Sequence, residues 1–118
     1  MRNPPSIDAY GGGGFRVSGV RREGSLLILN DEPRLWSATS LADLSPASFD
    51  EVIAAGPREV EFVLLGTGAV QALPPRTVRD ALRAAGIGLE FMDTPAAARV
   101  YNVLASEGRR LACALIAI

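Results

Sequence analysis

The sequence predicts an α/β domain in which helices alternate with strands over the last two-thirds of the chain, after a β-rich first third. Three observations carry this. Proline opens each of three helical stretches, at Pro46, Pro75 and Pro95. Between and after them lie apolar runs with little alternation, "VEFVLL" and "LACALIAI", as buried strands require. The first third instead carries glycine and Asn-Asp turn chemistry between short β-branched stretches. At 118 residues with no internal linker, the chain is expected to form one domain, large enough for a real core.

Each element follows from local chemistry. Residues 1–14 are expected as a flexible N-terminal segment ending in Gly11–Gly14, since consecutive glycines disfavour any fixed geometry. The same four glycines could present backbone N–H groups to an anion. Phe15–Val17 and Val20–Arg22 flank Gly19 as short strands, and Ser25–Leu29 is a clearer one, closed by the Asn30-Asp31 turn before Pro33. Ser45-Pro46 starts a helix whose Phe49, Val52 and Ile53 share a face, and Gly56-Pro57 end it. Val60–Leu65 is a buried strand. A helix runs from Pro75 to Gly86, with Val78, Ala81, Leu82 and Ala85 at helical spacing. Leu89–Met92 is a strand, and Thr94-Pro95 caps a helix that continues to Gly108. In the final run Leu111, Cys113 and Leu115 point one way, and Ala112, Ala114, Ile116 and Ile118 the other. Both faces are apolar, which predicts a central strand with Cys113 as a small core residue.

Composition excludes more functions than it assigns. The formal charge is −1 and all 12 basic residues are arginine, so nothing marks a nucleic-acid surface. There is no histidine, which removes the commonest general base and metal ligand. The missing lysine removes Schiff-base chemistry and the P-loop cation. One cysteine permits neither an internal disulfide nor a thiolate cluster. No enzyme activity, cofactor or metal is therefore expected. The longest apolar run, Leu111–Ile118, is far short of the roughly 20 residues of a membrane span. The opening "MRNPPSIDAYGGGG" lacks the apolar segment of a signal peptide, so a cytoplasmic location is expected.

The candidate site is Gly66-Thr67-Gly68, at the carboxyl end of the buried Val60–Leu65 strand. A dinucleotide fingerprint needs a third small residue and a helix opening at once. Here Gln71 stands in the third place and the helix waits until Pro75, so no nucleotide site is expected. The position is still where α/β sheets form clefts. Arg76, Arg79 and Arg83 form a stripe on the following helix, able to grip an acidic partner, although Asp80 lies within pairing reach of two of them. Trp36 is either a core cover or an interface anchor. Tyr101 and Asn102 sit on the last helix, with Tyr101 at a packed rim. The carboxylate pairs Asp31-Glu32 and Asp50-Glu51 have no evident apolar pocket to raise a pKa.

Taken in order, a tryptophan after a proline, "EFVLLGTG", Met92-Asp93-Thr94, Ala96-Ala97, Tyr101-Asn102 and Glu107-Gly108-Arg109 form a composite pattern. It resembles, over nearly the whole chain, the family of small domains that includes mitochondrial respiratory complex I assembly factor 3 and uncharacterised bacterial proteins. The resemblance implies a three-layer α/β arrangement: a mixed central sheet of about five strands, helices on one side, and an additional small antiparallel β layer. It also implies a non-enzymatic, protein-binding role in assembling respiratory NADH:quinone oxidoreductase, with a subunit of that complex as partner. The expected contact surface is the cleft edge at Gly66, Thr67 and Gly68, with Trp36, Arg76, Tyr101 and Asn102. The alternatives are a small-molecule binder or weak enzyme using the same crevice, and a homodimer that covers Trp36. The N-terminus departs from the mitochondrial members, which carry a targeting presequence.

Overall fold

A computed structural model describes residues 3–118. Among them β1 (Ile7–Gly11), β2 (Gly14–Val17) and β3 (Val20–Glu23) form a three-stranded antiparallel sheet. The larger sheet uses β4 (Ser25–Leu29), β5 (Glu32–Trp36), β6 (Phe62–Gly66), β7 (Gly88–Met92) and β8 (Leu111–Leu115), in the order β5-β4-β8-β6-β7. Helices α1 (Asp50–Ala55), α2 (Arg76–Ala84) and α3 (Thr94–Ser106) lie between the later strands. The β4 pairings to β5 and β8 are antiparallel, and those of β6 to β7 and β8 are parallel. The class is thus a mixed five-stranded sheet with helices and a small antiparallel β layer.

The central place of β8 follows from its two apolar faces, and all five of its residues are buried. Ala112 and Ala114 join Leu27, Leu29, Val63 and Leu65 in one core. Against that face pack Val52 of α1, Val78 and Leu82 of α2, and Trp36. Cys113, Leu111 and Leu115 join Leu26, Ile28 and Leu64 in a second core on the opposite face. There they meet Ala97, Ala98 and Tyr101 of α3 together with Phe15 and Val17 of the small sheet.

The expectation of helices on one side describes α1 and α2, while α3 shares the other face with the small sheet. Crossover handedness explains this. From β6 through α2 to β7 the chain steps outward, and from β7 through α3 to β8 it steps back across β6. Right-handed connections running in opposite directions place their helices on opposite faces.

Two further differences concern the first third. Residues 7–14, expected within a flexible segment, form β1 and a tight reversal into β2. Gly12 and Gly13 take φ of 62° and 83°, so the glycines fix a turn. The strand is tied down at a distance: Asn102 Oδ1 accepts from the Ile7 N–H (2.8 Å) and its Nδ2 donates to the Ile7 carbonyl (2.9 Å). Residues 32–36, read only as a post-turn stretch, form β5. Pro33 cannot donate to a ladder, which suits the sheet edge where β5 lies.

Candidate functional site

The crossovers reverse direction at β6, so the carboxyl end of that strand is where an open α/β sheet parts into a crevice. Gly66, Thr67 and Gly68 stand there; Leu115 and Thr94 fill the space over Gly66, whereas a Cβ on Gly68 would meet nothing within 4 Å. The Ile116 N–H donates to the Gly66 carbonyl (3.0 Å). The fully buried Thr94 hydroxyl donates to the Ile116 carbonyl (2.8 Å) and accepts from the Gly68 N–H (3.0 Å). In return the Thr94 N–H donates to the Gly68 carbonyl (2.8 Å). The Thr67 N–H donates to the Met92 carbonyl (2.8 Å), and its hydroxyl reaches the carbonyls of Val70 (2.7 Å) and Met92 (3.2 Å).

The two glycines have different physical tasks. A Cβ on Gly66 would lie 2.7 Å from Leu115 Cδ2 and 2.9 Å from Thr94 Oγ1, so only hydrogen fits. Gly68 instead needs its backbone angle, with φ at 109°. The Gly68 N–H is already bound to Thr94, and α2 begins only at Arg76.

What the site offers is the loop that follows. Val70 and Leu73 are 72% and 61% exposed on a segment pinned at both ends. Thr67 holds the Val70 carbonyl, and Arg79 Nε donates to the carbonyl of buried Pro74 (3.1 Å). An exposed apolar tip on a fixed backbone loses little entropy when a partner covers it. These two residues escape motif reading, although "AVQAL" between Gly68 and Pro74 fits no helical or strand period.

The other expected contact residues scatter. Trp36 is buried edge-on against Phe49 (ring centroids 5.5 Å), with its Nε1–H on the Ser48 carbonyl (3.0 Å). Tyr101 is buried in the core on the opposite sheet face. Asn102 clamps β1. Arg76 lies at the end of the exposed loop, paired at 3.6 Å with Asp80, which also approaches Arg83 at 3.9 Å. The structure therefore keeps Gly66, Thr67 and Gly68 together at the end of β6, puts Arg76 at the far end of the following loop, and leaves Trp36, Tyr101 and Asn102 elsewhere. The cap of α3, expected at Thr94, is Asp93, which accepts from the Ala96 N–H (2.8 Å). The Thr94 hydroxyl, already committed to Ile116 and Gly68, does not cap.

Glu51 pairs with Arg34, and among the described residues no three of His, Cys, Asp and Glu stand together as a metal-ligand set. Burial pushes the Cys113 thiol well up, away from the reactive thiolate. Among the described residues no helix is long and apolar enough to cross a membrane.

Comparison with known proteins agrees with this architecture. An uncharacterised protein of Rhodobacter capsulatus is 39% identical over 112 residues, covering 93% of this chain and 82% of its own. The NADH dehydrogenase [ubiquinone] 1 alpha subcomplex assembly factor 3 of Bos taurus is 38% identical over 111 residues. That match takes in 93% of this chain, which spans only 59% of the bovine protein. A crystal structure described as an outer membrane protein from Bartonella henselae superposes with a TM-score of 0.88 at 32% identity, covering 97% of this chain and 95% of that one. The profile of the family described as "Protein of unknown function (DUF498/DUF598)" matches residues 7–116, from β1 to just past β8, and the chain belongs to that family.

Proposed function

We propose that this chain is a non-catalytic protein-interaction module that serves the assembly of respiratory NADH:quinone oxidoreductase and binds a subunit of that complex. The observation that carries the reading is the rigid apolar tip, Val70 and Leu73, on a crevice that Thr94 closes from within. The filling over Gly66 and the commitment of the Gly68 N–H to Thr94 speak against a small-molecule site there, whereas an exposed apolar tip invites a protein surface. Likeness to the bovine assembly factor over 93% of this chain supplies the kind of partner. Arg76, beside the tip, adds a charge at the rim, where it governs encounter more than affinity.

The test is a photo-crosslinker at exposed Gln71 in membranes of the producing cell, with Val70→Asp/Leu73→Asp carrying the same crosslinker as the comparison. Crosslinks to subunits of the oxidoreductase, lost in the double variant, are expected. Recovery of no respiratory subunit, together with normal oxidoreductase activity in a strain lacking the protein, would overturn the reading. We place the protein in the cytoplasm; the name of the Bartonella relative makes the outer-membrane fraction the contrary outcome of cell fractionation. Light scattering decides whether it acts as a monomer or a homodimer.

A further inference from the structure

A second surface lies along β7; it shares Arg79 with the base of the loop but neither Val70 nor Leu73. The strand is an edge of the five-stranded sheet, and among the described residues no strand pairs with its outer side. The opposite edge, β5, is blunted by Pro33 and by the Glu32–Arg34 ion pair. β7, "GLEFM", contains neither proline nor a basic residue.

The hydrogen-bond phase shows what this edge offers. The Gly88 N–H donates to the Glu61 carbonyl (3.0 Å), and the Met92 carbonyl accepts from Thr67 (2.8 Å). In a parallel ladder alternate residues bond the same neighbour. Gly88, Glu90 and Met92 therefore face β6, and Leu89 and Phe91 direct their N–H and C=O groups outward. An apolar trough runs along each face of this edge. On the α3 side a groove of about 470 Å³ is floored by Phe62, Leu64, Met92, Val100 and Leu104, with Glu90 at its margin and the Glu61–Arg109 ion pair (3.5 Å) at its end. On the α2 side a groove of about 250 Å³ exposes Leu89 and Phe91 beneath Arg79 and Arg83.

We propose that the outer edge of β7 is a strand-addition site for an extended segment of a partner protein, with apolar side chains toward α3 and carboxylates toward α2. Main-chain bonds to Leu89 and Phe91 supply the attachment, and alternate side chains enter the two grooves. Charge selects the occupant. A second copy pairing across a two-fold axis, Leu89 to Phe91, sets Glu90 directly against its own counterpart. It also brings two Arg79/Arg83 stripes together on one face. A partner strand with glutamate or aspartate over Arg79 and Arg83 meets complementary charge on the α2 side, and its apolar side chains set no like charge against Glu90 on the other.

The probe is acetyl-Ser-Val-Glu-Leu-Glu-Val-Ser-amide, titrated to about 1 mM against the isotope-labelled full chain and followed by NMR. The expected result is shifts of the Leu89 and Phe91 amides and about tenfold slower hydrogen exchange there. The same peptide N-methylated at alternate residues, which cannot form the ladder, should not bind. Arg83→Glu should weaken the glutamate peptide about fivefold and strengthen a lysine-for-glutamate version. Leu89→Pro, which removes an N–H that β6 does not use, should abolish binding and leave the β6 and β8 resonances in place. Absence of shifts at Leu89 and Phe91, or equal binding of the N-methylated peptide, overturns the proposal. So does protection of those amides in a dimer without peptide, which would make a second copy the occupant. The loop variants Val70→Asp/Leu73→Asp should bind the peptide normally, so the two surfaces succeed or fail separately.

Discussion

Thr94 stands directly over Gly66: its Oγ1 would lie 2.9 Å, and its Cα 3.0 Å, from any Cβ placed there. The bare backbone of β6 and the first residue of α3 thus occupy the crevice that crossover reversal would otherwise open.

Gly66→Ala should destabilise the fold by roughly 1–3 kcal/mol, since the new methyl must displace Leu115, Thr94 or both from a packed core. The φ of Gly66 is not in the left-handed region, so the cost is steric. Urea denaturation measures it. A loss below about 0.5 kcal/mol would mean that α3 shifts freely and the crevice can open.

Thr94→Val keeps the shape and removes the hydroxyl. It leaves the Ile116 carbonyl and the Gly68 N–H without that partner in a buried site. The expected cost is about 2–4 kcal/mol, with Thr94→Ser costing less because the hydroxyl remains. Equal losses for both variants would assign Thr94 to methyl packing instead.

Asn102→Ala should release β1 without melting the central sheet. The side chain holds both polar groups of Ile7, and removing it is expected to cost about 1–3 kcal/mol. Hydrogen exchange should show the Ile7 amide losing protection while the amides of β8 keep theirs. Uniform loss across the molecule would make β1 part of one cooperative unit with β8.

Asp8 carries a pH dependence. The Ser6 hydroxyl, then the Gly19 N–H, hold its carboxyl below the ordinary value of 3.8. A depressed native pKa gives stabilisation that is present above that value and is lost as pH falls through the lower, native one. Acidification through this window should therefore loosen the Ser18-Gly19 turn, visible as faster exchange of the Gly19 amide. Asp8→Asn should make that exchange independent of pH, once the intrinsic rate is divided out. An unchanged acid response in the variant would assign it to other carboxylates.

Much of the architecture is legible in the residues themselves. The alternation of leucine-class and alanine residues in Leu111–Leu115 marks a strand covered on both faces, and the structure places it third of five. The prolines at 46, 75 and 95 mark helical starts because a missing N–H costs nothing there: Pro46 opens a 3-10 turn that leads into α1, Pro75 is the N-cap of α2, and Pro95 lies in the first turn of α3. Missing histidine and lysine rule out broad classes of chemistry before any coordinate is known. Those properties are local: each follows from one residue's donors, volume or backbone freedom. Tertiary structure decided the rest. The clamp of Asn102 on Ile7 spans 95 positions, and no local pattern announces it. Burial of Trp36 and Tyr101 on opposite faces depends on strand order, which the elements alone leave open. Whether Gly66-Thr67-Gly68 borders a pocket or a plug turned on where α3 crosses. Strand order and crossover handedness set that position, and both are properties of how distant segments pack.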